Sequence, residues 1–207
     1  MKALFYWFQG RCAFERVRFG PSFVCSKVPV NLQLSEATWL ILSCIELEKG
    51  MELFCLESQD WGPDTPRTLF LTREVLDAVT PPLPATPKGL HAEFRQQLDA
   101  FLEMSLMSIG LNPKTKASDA LMARVCPVEW ELFDFRITSP YPQIRAFGGF
   151  SERDTFVMVT WQYRDVIGDD FNAEVLRCKH EWEKLFGRTP PFSGRTLNDY
   201  LSNAFPV

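Results

Sequence analysis

Cys178-Lys179-His180 sets a thiol, an amine and an imidazole side by side, the makings of a nucleophile or a metal ligand. Yet Cys178 falls on the apolar face of an expected helix, with Trp182 in the next turn, so a buried thiol is the expectation. His180 then points away, toward solvent. His91 opens another helix and is expected at the surface. Glu129, Glu131 and Asp134 form the densest acidic group on a strand-like run, with Glu129 and Glu131 on one face. Carboxylates so placed can hold a divalent metal in a nuclease, but the lysine that such sites put two residues beyond an acid is missing. Six cysteines with no CxxC and only two histidines give no metal-ligand spacing, so no metal and no cofactor are expected. No P-loop, GxSxG, HExxH or dinucleotide fingerprint is present. Gly148-Gly149 reads as a bulge inside a strand.

The elements that must position these residues are clearest in the second half. Glu129–Arg136, Gln143–Phe150 and Thr155–Trp161 read as three strands. Ser139–Pro142 and Ser151–Asp154 supply the turns, and such short connections make the strands antiparallel neighbours. The last run is the most hydrophobic and should be central. Phe171–Phe186 is a helix with Phe171, Val175, Cys178, Trp182 and Leu185 on one face. Upstream, Leu90, Phe94, Leu98, Phe101, Leu102, Ser105 and Ile109 keep helical spacing, and Gly110 and Pro113 end the run. A shorter helix is expected over 114–125, and a last one near Leu197–Leu201.

Thr80–Pro87 carries four prolines and is the best boundary in the chain. It divides an N-terminal α+β region, 1–80, from residues 88–207. Within 1–80, strands are expected at Leu4–Phe8, Phe14–Phe19, Phe23–Cys25 and Met51–Leu56. A helix capped by Ser35 and ended by Gly50 lies among them, and a short helix Arg73–Val79 follows Thr72. The expected class is α+β: an antiparallel meander packed against helices, with an N-terminal α+β extension.

The strands read WELFDFRI (130–137), PQIRAFGGF (142–150) and ERDTFVMVTWQYRD (152–165), preceded by helices and followed by one. Over roughly 90–186 this resembles the toxin family that includes RelE, HigB and ParE. The resemblance implies metal-independent action on RNA or translation. A 2′-hydroxyl is deprotonated, the phosphate is held by cations, and the leaving oxygen is protonated. Arg145 and Arg164 stand where the family carries phosphate-facing arginines, with Tyr163 as the proton-transfer candidate and His180 behind it. Ribosome or RNA, and an antitoxin, would be the partners. Two departures stand out: the loop after Trp161 lacks paired basic residues, and Asp165, Asp169 and Asp170 make it negative. Arg145 has a plainer use, pairing Glu131 or Asp134 across the sheet, and Arg164 can be a solvated loop arginine.

The net charge of −4 and pI of about 5.3 give no basic field over the whole molecule, which counts against avid non-specific nucleic-acid binding. Aromatics reach 14%, so an aromatic-heavy core is expected. No apolar run of about 18 residues occurs, and no secretory leader is read at the start, so a cytoplasmic protein without a membrane is expected. Two readings stand at this level. One is a toxin-type protein acting on RNA or translation. The other is a non-catalytic phage- or mobile-element-derived module that binds a host protein through aromatic surface.

Overall fold

The computed structural model describes residues 53–60, 62, 65–83, 89–115 and 120–207. The strands expected before residue 26 and the helix expected after Ser35 lie outside them. The described strands are β1 (Leu53–Cys55), β2 (Thr68–Thr72), β3 (Met107–Gly110), β4 (Met122–Arg124), β5 (Leu132–Ile137), β6 (Ile144–Glu152), β7 (Thr155–Tyr163) and β8 (Ala204–Pro206). The helices are α1 (Arg73–Val79), α2 (Leu90–Leu102), α3 (Arg164–Ile167), α4 (Phe171–Phe186) and α5 (Leu197–Tyr200). One mixed sheet runs β1-β2-β7-β6-β5-β4-β3-β8. The class is α+β, and the β5-β6-β7 meander is antiparallel throughout.

Helices cover both faces of this sheet. On one, α1 and α2 bury Val75, Val79, Leu90, Phe94, Leu98 and Phe101 against Phe133, Phe135, Ile144 and Met158. On the other, α4 buries Val175, Cys178, Trp182 and Leu185 against Leu132, Phe147, Val157 and Val159. Burial on both sides is why β7 reads as a continuous apolar run rather than an alternating one. Each face carries its own aromatic cluster. Phe150, for example, packs edge-on against Phe133 and Phe156 at centroid distances of 5.2 and 4.9 Å. β2, from the residues before the proline stretch, lies parallel beside β7. Residues 53–79 and 89–207 therefore share one sheet and one core.

Two expected helices are corrected. α2 stops at Leu102, and Met104 takes a left-handed φ of 58°. Ser105 and Ile109 fit the helical period, but Met107 and Ile109 also fit period two with Ser108 between them, and both are buried in β3. β3 gains parallel partners in β4 and β8, which the continued helix would forgo. The stretch expected to be helical over 114–125 contains β4, whose ladder to β5 runs from Met122–Phe135 to Arg124–Phe133. β5 also starts later than expected. Val128–Trp130 is a 3₁₀ turn and Glu131 has a φ of 51°, so Glu129 and Glu131 do not share a strand face. Buried Glu131 instead anchors the C-terminal tail: Tyr200 Oη donates to its Oε2 at 2.6 Å and Ser193 Oγ to its Oε1 at 2.9 Å.

The irregularity expected at Gly148-Gly149 is present. Thr160 faces Phe147 and Met158 faces Gly148, which leaves Val159 as an extra residue in β7. A side chain on Gly148 would meet Val157 O at 2.0 Å, so only glycine lets the two backbones come this close. The displaced Val159 carbonyl accepts the Thr72 hydroxyl at 2.8 Å. Among the described residues no helix is long and apolar enough to cross a membrane.

Candidate functional site

Strand alternation and register assemble an arginine cluster at one end of the sheet. In β5, Phe133, Phe135 and Ile137 turn to the α1–α2 core, so Asp134 and Arg136 turn to the α4 side. In β6, Ile144 and Ala146 share that core, so Arg145 also turns to the α4 side, directly opposite Arg136 in the ladder. Arg164 begins α3, and its backbone N–H donates to Gln143 O at 2.8 Å, which places it at the same sheet end. Arg136, Arg145 and Arg164 line one open cleft of about 490 Å³ with Asn112, Asp134 and Asn172. Arg124 borders it too, but its guanidinium turns to Glu131 at 3.4 Å.

One carboxylate serves two of these arginines, and the third, Arg164, donates from Nη1 to Gly168 O. Asp134 is 1% exposed, and its Oδ2 accepts from Arg136 Nε at 2.9 Å and from Arg145 Nη1 at 3.1 Å. Its Oδ1 and the Nε of Arg145 are buried and have no hydrogen-bond partner. Burial pushes the Arg145 guanidinium below its ordinary pKa, Asp134 opposes this, and Arg136 and Arg164 push the same way as burial. Adjacent like charges near a protein surface repel by roughly 4 kcal/mol at contact distance before screening. Among the cleft's described lining residues the arginines outnumber the one carboxylate, so the cleft favours a further anion by charge.

The acidic loop expected to oppose this is partly occupied locally. Asp170 caps α4 by accepting from Ala173 N at 3.2 Å, and Asp165 accepts from Val166 N at 2.9 Å. A carboxylate on the first turn of a helix is partly offset by the helix dipole.

Arg145 and Arg164 are thus brought together, and Tyr163 is not with them. The extra residue at Val159 reverses the alternation of β7, so Trp161 and Tyr163 join the α1–α2 side with Phe156 and Met158. There the Tyr163 hydroxyl lies 2.8 Å from His91 Nε2, and His91 Nδ1 lies 2.7 Å from Ala78 O. A carbonyl can only accept, so Nδ1 carries the proton and Nε2 accepts from Tyr163. Trp161 meets the His91 ring edge-on at 5.2 Å. Burial lowers the His91 pKa and raises that of Tyr163. His91, expected at the surface, is 1% exposed; it precedes Phe94 and Leu98 by three and seven residues and so lies on their stripe.

His180 is exposed, and Cys178 is buried with its pKa pushed up to about 12, which removes the thiolate a nucleophile needs. Among the described residues no group of three or more His, Cys, Asp or Glu is arranged to hold a metal. Two residues that sequence reasoning missed now matter. Arg136 becomes visible only through the ladder that sets it against Arg145. Arg67 reads as a loop arginine, yet its side chain is wholly buried. Comparison with known proteins finds no matching family model, no matching curated protein and no matching solved structure.

Proposed function

We propose that this protein acts on RNA, holding a backbone phosphate in the cleft of Arg136, Arg145 and Arg164. The observation that carries the proposal is the gathering of three arginines along one open cleft, two of them on Asp134. Guanidiniums match the geometry of phosphate oxygens and supply paired N–H donors. The resemblance of the meander to RelE-like toxins points the same way, to a metal-independent protein acting on RNA or translation. Binding is favoured over cleavage. Among the described lining residues the proton-transfer groups are Asp134 and Cys126, and Asp134 is held by two arginines.

The rival reading, a protein-interaction module, draws on the net charge of −4 and on exposed Leu106, Tyr141 and Val166. Induced expression with a readout of protein synthesis separates the two. The expected result is depressed translation by the wild type, with relief by Arg145→Ala and by Arg164→Ala. Unchanged translation, or depression that survives both substitutions, overturns the proposal.

A further inference from the structure

Tyr141 stands in the turn between β5 and β6, at the sheet end that carries Arg136 and Arg145, and is 71% exposed. Its hydroxyl is 3.5 Å from Asp165 Oδ2, and Asp165 follows Arg164 in the chain. Two residues after Tyr141, Gln143 O accepts the Arg164 backbone N–H. The β5–β6 turn and the start of α3 are therefore tied together, and Tyr141 is held at the end of the sheet where the arginines gather. Pro140 and Pro142 flank it and fix φ on both sides, so little backbone freedom is lost when the ring takes a contact. Val166, 64% exposed, adds an apolar neighbour on α3. A lone exposed tyrosine is ordinary on a protein surface. Its position next to a cationic cleft gives it a use, because a positive groove with an aromatic face beside it is how proteins hold unpaired nucleotides.

We infer that Tyr141 is a stacking platform for an unpaired base of an RNA strand whose phosphate lies on Arg136, Arg145 and Arg164. Bases in a duplex are already stacked and cannot offer a face to the ring. The cleft then selects single strands, with the arginines supplying charge and Tyr141 the preference. The inference rests on the phosphate reading of the cleft, so its test must be able to fail separately.

The experiment is fluorescence anisotropy with a labelled single-stranded RNA octamer, a labelled RNA hairpin stem, and tripolyphosphate as a base-free competitor. It uses the full chain as wild type, Tyr141→Ala, Tyr141→Phe and Arg145→Ala, each with an unfolding curve. One stacked base corresponds to about a fivefold to a hundredfold change in affinity. The expected result for Tyr141→Ala is a loss of that size for the octamer, with tripolyphosphate competition unchanged. Tyr141→Phe keeps wild-type affinity, because the ring and not the hydroxyl makes the contact. Arg145→Ala weakens all three probes. If Tyr141→Ala leaves octamer binding intact while Arg145→Ala weakens it, the platform is wrong and the cleft stands. Equal losses for octamer, hairpin and tripolyphosphate in Tyr141→Ala also overturn the platform. If Arg145→Ala weakens none of the probes, the cleft reading fails and the platform with it.

Discussion

Two arginine sites in this molecule use the same chemistry to opposite ends. Arg67 is wholly buried, with Nη1 donating to Phe101 O and Ser105 O, each at 3.2 Å, and Nη2 to Ser202 O and Asn203 O. One carboxylate, Asp154, stands 3.7 Å from its Nε. Arg153 Nε also stands 3.7 Å from Asp154, and the carbonyls that Arg67 bridges lie at the end of α2 and in the C-terminal tail. Burial still lowers its pKa to about 10, with Asp154 opposing. In the cleft, Arg136 and Arg145 share Asp134, and Arg164, whose Nη1 donates to Gly168 O, lines the same open space. The difference lies in burial and in fixed acceptors. A wholly buried arginine held by four chain carbonyls holds the fold, and arginines gathered along an open cleft can take a ligand.

The largest expected effect breaks the first site. Arg67→Met should cost about 3–5 kcal/mol, the range for removing one partner of a buried pair and leaving the other uncompensated. For a chain of this size that is a midpoint lower by roughly ten degrees. Arg164→Ala should lower it by no more than about 1 kcal/mol, since Arg164 is only part-buried. Thermal unfolding of both variants checks the contrast, and equal losses would erase it.

Asp134→Asn comes next and sharpens the comparison through its sign. It removes the negative charge on which Arg136 and Arg145 rest, so stability should fall by about 1–3 kcal/mol. It also raises the positive surplus, so anion affinity should rise, and millimolar tripolyphosphate should restore part of the lost midpoint by mass action. Asp154→Asn, at the site of buried Arg67, should lose stability with no such rescue. A scan of both variants with and without tripolyphosphate decides it.

A smaller effect concerns the opposite face of the same sheet end. The His91 pKa is lowered from 6.5 in the fold, so the unfolded chain binds the proton more readily. The contribution is present in full above pH 6.5 and is lost as the pH falls from there through the folded value. His91→Gln should flatten this acid limb in urea unfolding between about pH 7 and pH 5. An unchanged limb would show that other groups carry the dependence.

Much of this arrangement was legible before the fold was known. Phe171–Phe186 carries its period in the sequence, and the helix has those bounds, while its Asp170 cap was read only as loop charge. The meander was legible because its turns are short and its strands long. β3 and β8 were not, since three- and four-residue strands take their identity from partners nearly a hundred residues away. For the site, Arg145 and Arg164 were singled out in the sequence, and both line the same cleft. The side of the sheet on which Tyr163 falls depends on one extra residue, Val159, and a bulge flips every side chain beyond it. The glycine pair signals that irregularity but not which strand absorbs it.

The most direct measurement is the salt dependence of binding to a single-stranded RNA octamer. Each phosphate neutralised on a single strand contributes about −0.7 to the slope of log affinity against log salt. One phosphate held in the cleft predicts a slope near −0.7 for the wild type, shallower in Arg145→Ala and in Arg164→Ala, with affinity roughly tenfold lower in each. A slope and an affinity that both substitutions leave unchanged would contradict the assignment of this cleft to RNA phosphate.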